Sequence, residues 1–133
     1  KGHEVTPKQG LVWGLCGFIA LQLAPAIGLP PELPGTPAAE VGMRQVWWIA
    51  CVLCTGAGLG LIGFGTNAVA ISLGFVLIAL PHIVGAPHLD TYFGVAPPEL
   101  SAHFVSLSLG AAAVTWALLG LFVAALWVRA QEA

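Results

Sequence analysis

Charge is what this sequence has least of. Of its 133 residues, four are Lys or Arg and six are Asp or Glu, 8% in all. A water-soluble domain carries roughly a quarter charged residues, so this chain could not solvate a globular surface. A net charge of −2 offers nucleic acid no basic face, and no nucleic-acid partner is expected. Cysteine is scarce too. Cys16, Cys51 and Cys54 are odd in number and lie in apolar stretches, which argues against a disulfide framework. Met43 is the single methionine, which argues against a thioether path for a soft metal. The chain has no phosphate-binding loop, no heme-attachment motif and no nucleophile–base arrangement, so no enzyme is expected.

What fills the chain instead is hydrocarbon: 58% hydrophobic residues and a mean hydropathy of +0.92. Four runs, at about 10–29, 45–65, 67–85 and 102–128, are long enough to cross a ~30 Å hydrocarbon core at ~1.5 Å per residue. They are continuous rather than alternating, which predicts helices and not a barrel. The expected fold is an all-α integral membrane protein, one domain over 1–133, with four transmembrane helices in a bundle. Basic residues accumulate on the cytoplasmic side of membrane proteins. Lys1 and Lys8 precede the first run and Arg129 follows the fourth. Both termini are therefore expected in the cytoplasm, with loops 30–44 and 86–101 facing outward. Those loops carry Glu32, Glu40, Asp90 and Glu99 against Arg44 alone, an acidic face that gathers cations.

Local signals sharpen this outline. Pro30 to Pro37 is too proline-rich for helix, and Pro37 suits the first turn of a helix starting near Ala38. Gly65-Thr66-Asn67 reads as a tight turn between antiparallel helices. Pro97 and Pro98 mark the start of the last helix. Gly56 with Gly60, and Ser106 with Gly110, are small-residue pairs that let helices approach. Trp47, Trp48 and Trp127 near span ends read as interfacial anchors. Glu40 and Arg44, four apart, predict an ion pair on one helix face. Gln22 and Pro25 mark either a polar path or a kink.

The chemistry concentrates after the third run. Leu80-Pro81-His82-Ile83-Val84-Gly85-Ala86-Pro87-His88-Leu89-Asp90 brings two imidazoles and a carboxylate to a membrane edge. Pro81 is expected to kink its helix. A histidine at that border is a ligand, or is held by a backbone carbonyl or a headgroup. Glu99 and His103 are four apart, so one helix face carries both. They read as two ligands or as a simple surface pair. Imidazole and carboxylate together suit Co²⁺, Ni²⁺ and Zn²⁺. His82, His88, Asp90, Glu99 and His103 all belong to the outer side, and Glu32 adds a carboxylate from the proline-rich loop. Cys51-x-x-Cys54 lies inside an apolar helix, where thiolate is disfavoured, and reads as core.

Several segments resemble one family in order along the chain: Gly10-Leu11-Val12-Trp13-Gly14-Leu15-Cys16-Gly17-Phe18, Leu23 to Gly35, Ala38-Ala39-Glu40, Arg44-Gln45 with Trp47-Trp48, Leu80 to Pro87, and Pro98-Glu99-Leu100. They resemble the C-terminal four-span portion of a predicted cobalt transporter family, membrane proteins linked to cobalamin synthesis. The resemblance implies a multi-pass protein of the bacterial inner membrane that takes up Co²⁺ beside a small, single-span, His-containing partner protein. It also implies further spans ahead of Lys1. It supports Glu32, His82 and Glu99 more directly than His88 and Asp90, because the sequence after Ala86-Pro87 varies in the family. The expected function is a membrane component of divalent cobalt uptake. The alternative is a non-transporting accessory subunit packed against a larger membrane complex.

Overall fold

The computed structural model describes residues 5–91, 94 and 96–132. Lys1 and positions 92, 93 and 95 of the second long loop lie outside the described residues. Every regular element described is helical. Helix α1 spans Pro7–Gly28, α2 Val41–Phe64, α3 Ala68–Val84 and α4 Pro98–Glu132. Helices α1, α2 and α4 are long and apolar enough to cross a membrane. The 17 residues of α3 reach ~25 Å, short of a full ~30 Å core.

The helix ends follow local chemistry. Thr6 accepts from the backbone N–H of Gln9 at 3.3 Å, and Gln9 Oε1 accepts from the N–H of Thr6 at 2.9 Å. This reciprocal box, with Pro7 behind it, starts α1. Glu40 caps α2, so that helix begins at Val41 and not near Ala38, and Pro37 stays in the loop. Asn67 caps α3 by accepting from Ala70 N–H at 2.9 Å, which makes 65–67 the tight turn expected. Helix α3 runs through Pro81 to Val84, although the proline has no N–H to give to the Leu77 carbonyl. Gly85 ends it at φ +85, a conformation that favours glycine.

Helix α1 is interrupted once. Residues Ile19–Leu23 form a π turn in which the N–H of Ala24 reaches Ile19 O. Pro25 has no N–H to give. The Ala20 carbonyl thus loses the Ala24 N–H of an unbroken α-helix to Ile19 O and receives none from Pro25.

The helices pack as two antiparallel pairs. Helix α1 lies along α4, and α2 lies along α3. The end of α1 joins the pairs by touching α2 and α3. Among the described residues, helix α4 packs on α1 and on neither α2 nor α3. The order is α4–α1–α2–α3, an open row rather than a closed ring. Both described chain ends and the 65–67 turn lie at one end of the row. The two long loops lie at the other.

Glycine sets both close approaches. A Cβ on Gly10 or Gly14 would collide with Gly120 O or Trp116 O, and one on Gly120 with Gly10 O. A Cβ on Gly58 would sit 2.6 Å from Gly74 O, and one on Gly74 2.7 Å from Gly58 O. The pairs suggested by sequence, Gly56 with Gly60 and the Gly110 end of the other, are different: a Cβ at these glycines meets nothing within 4 Å. Ser106 and Thr115 give their hydroxyl protons to their own helix, to Ala102 O at 2.9 Å and Ala111 O at 2.8 Å, which suits an apolar surround.

This arrangement predicts opposite outcomes for one chemical change. Gly120→Ala should destabilise the protein by about 1–3 kcal/mol, the range for overpacking. Gly63→Ala, where a Cβ meets open space, should be neutral or raise stability by about 0.5–1 kcal/mol through helix propensity. Thermal unfolding in detergent compares them.

Candidate metal entry site

The loop end of the row is tied together by Trp47. Cys51, Thr55 and Gly58 recur with it on one buried face of α2, Cys51 in a cluster with Ala24 of α1 and Gly58 against Gly74 of α3. The indole N–H of Trp47 donates to Pro81 O at 3.2 Å. Gly85 N–H donates to the same carbonyl at 3.0 Å, so both acceptor directions are used. Gly28, at the end of α1, brings its Cα against the Trp47 ring and Ala86, where a Cβ would lie 2.7 Å from each. Trp47 is thus a buried tie and not an interfacial anchor. Its three neighbours explain why: α1, α3 and the loop after α3 all close on its ring. Trp48 and Trp127 remain exposed.

His82 lies behind this tie. Its ring stands edge-on to Trp47, with centroids 6.0 Å apart at 67°. Its Nε2 is buried and, among the described residues, has no hydrogen-bond partner. His82 is therefore held by packing, with one buried ring nitrogen unpartnered among those residues.

The proline-rich loop supplies the second part. Glu40 is engaged as the α2 cap, accepting from Gly42 N–H at 2.8 Å and Met43 N–H at 2.7 Å. These bonds, Gly42's first, hold its carboxyl below the usual value of 4.5. Arg44 is consequently not paired with Glu40, as the i, i+4 spacing suggested. Its guanidinium donates instead to Glu32 Oε2 at 3.0 Å, across the loop. The cap geometry decides this, because a carboxylate folded back onto the first turn cannot also reach along the helix face.

Glu32, Arg44 and His88 line one small chamber of about 110 Å³, walled by Gly28, Leu29 and Pro87. The fold thus brings Glu32 and His88 to the same place from loops more than fifty positions apart. Asp90 is exposed on the loop beyond. Glu99 and His103 are exposed in the first turns of α4, which does not pack on α3, so they do not join His82. Among the described residues, no three His, Cys, Asp or Glu side chains form a group that could hold a metal ion. Cys51 is fully buried and free, as a small core residue would be.

A family model described as "probable cobalt transporter subunit (CbtA)" matches residues 1–128. The chain belongs to the CbtA family. The family's description as a transporter subunit implies partners, and three helices long and apolar enough to cross a membrane suit a multi-pass membrane protein. No curated protein and no solved structure matches the chain.

The Glu40 cap carries a pH signature for this CbtA chain. A carboxyl whose folded pKa is lowered contributes stability in full above its unfolded pKa. That contribution is lost as pH falls through the folded value. Melting temperature should therefore decline on acidification below pH 4.5. Glu40→Gln should lower the neutral-pH melting temperature and flatten that acid limb. A melting series from pH 7 to pH 3 in detergent checks both.

Proposed function

We propose that this chain is the membrane-embedded component of a divalent cobalt uptake system in the bacterial inner membrane. Co²⁺ is its transported ion, and no organic cofactor takes part. The family match along nearly the whole chain carries this reading. In it, all four helices cross the bilayer, α3 within a locally thinned region or with its flanking residues completing the span. Both termini face the cytoplasm, and the two long loops face outward.

The residues divide by depth. Glu32 and His88, which share a chamber at the loop end, receive the ion at the mouth, with Asp90 gathering cations from the loop beyond. His82, with a buried unpartnered nitrogen, offers the next imidazole inward. Glu99 and His103 form an exposed pair at the start of α4, where the small His-containing partner protein can complete a coordination shell. Two or three side chains from this chain and the rest from water or a partner is ordinary for a site that must release its ion.

The accessory-subunit reading rests on a different observation. Gly56, Gly60 and Gly63 open onto an apolar groove of about 480 Å³ beside the stacked rings of Trp13 and Phe64. A helix of a larger complex would fit such a groove.

Uptake of Co²⁺ into cells lacking other cobalt importers separates the two. Glu32→Gln and His82→Ala should each reduce accumulation about tenfold or more, while Gly63→Ala should not. Unchanged accumulation in both site variants, with loss only on blocking the groove by Gly60→Leu, would favour the accessory role.

A further inference from the structure

The Glu32–Arg44 pair stands between two spaces. On one side is the small chamber that holds His88. On the other is a wider groove of about 490 Å³, lined by Gln22, Pro25, Gln45 and Trp48 and running to the π turn of α1. Glu32 and Arg44 line both. The two side chains are about two-thirds buried, at 28% and 33% exposure, and the guanidinium-to-carboxylate distance is 3.0 Å.

We propose that Arg44 is a selectivity residue: a tethered cation that occupies the Glu32 carboxylate and yields it to divalent first-row ions but not to monovalent ones. The inference rests on the cation-uptake reading and names what sets its selectivity.

The chemistry follows from charge and ligand type. Arginine cannot lose its charge in a protein, so the tethered cation is always present beside Glu32. A sodium or potassium ion brings the same single charge without the tether, and must shed water to bind. It therefore does not displace the guanidinium. A divalent ion brings twice the charge, and in this chamber it meets an imidazole as well as a carboxylate. Imidazole favours Co²⁺, Ni²⁺ and Zn²⁺ over Mg²⁺ and Ca²⁺, and a guanidinium, which only donates, does not use it as a ligand. The chamber of about 110 Å³ has room for such an ion with part of its water shell, a water taking ~30 Å³.

The displaced guanidinium also has somewhere to go. The wider groove on its other side presents the carboxamides of Gln22 and Gln45, whose oxygens accept from Arg N–H groups. Arg44 thus moves between a carboxylate and two amides as the ion enters, with its charge solvated in both positions.

The test is calorimetric Co²⁺ titration of the full chain in lipid nanodiscs at constant ionic strength, with either sodium chloride or choline chloride as the salt. The wild type should bind equally in both salts. Arg44→Gln should bind Co²⁺ about tenfold more tightly in choline, the scale of one charge-assisted hydrogen bond, and lose much of that gain in sodium. Arg44→Lys, which keeps the charge, should retain the wild-type indifference to sodium. Glu32→Gln should abolish binding. Helix content by circular dichroism confirms that each variant is folded. Binding to Arg44→Gln but not to wild type would support the proposal in its strongest form. Equal affinities for wild type and Arg44→Gln in choline would overturn it and leave the uptake reading standing. So would Glu32→Gln binding as the wild type does. Absence of Co²⁺ binding by every variant would overturn both.

Discussion

In a bilayer, apolar side chains gain nothing by leaving lipid for one another, so helices must associate by close packing. This protein depends on that constraint at two places where backbone meets backbone. Gly10 and Gly14 seat α1 against Gly120 of α4, and Gly58 seats α2 against Gly74 of α3. Each contact leaves no room for a methyl group. The rest of the chain is arranged around the two pairs so formed. The short turn at 65–67 requires α2 and α3 to be antiparallel neighbours, and the capped start of α1 lies beside the end of α4.

The two pairs meet chiefly at the loop end, and there the Trp47 ring does the joining. Trp47 links α2 to the last turn of α3 through one buried hydrogen bond, and Gly28 lets the end of α1 close over its ring. The same junction aligns the proline-rich loop with the segment after α3. That alignment places Glu32 and His88 on one chamber and sets Arg44 against Glu32. Architecture and candidate chemistry therefore share a support. The π turn and Pro25 lie one to two turns below it, as an opening in the backbone ladder of α1 beside the wider groove.

The open row has its own consequence. Helix α4 has most of its surface uncovered by the described residues, and α2 leaves a glycine stripe facing a groove. A family described as a transporter subunit is consistent with such faces, because one component of an assembly presents surfaces that its own chain does not fill. Lipid or a neighbouring helix serves equally well as the apolar cover.

Much of this was legible along the chain, because it follows from properties of single residues or short spacings. Hydropathy required membrane helices, proline and glycine placed the loops, and the Gly65–Asn67 turn required an antiparallel pair. The order of motifs indicated the family. What only the tertiary structure decided are matters of distance between remote segments. Which glycines touch depends on how the pairs face: Gly58 and Gly74 close, while Gly56 and Gly60 stay open. Trp47 became a buried tie because three elements converge on it. Arg44 turned from Glu40, its neighbour in sequence, to Glu32, because the helix end claimed the nearer carboxylate. Local chemistry can be read from a string of residues, but competition for a partner is settled only when the chain folds back on itself.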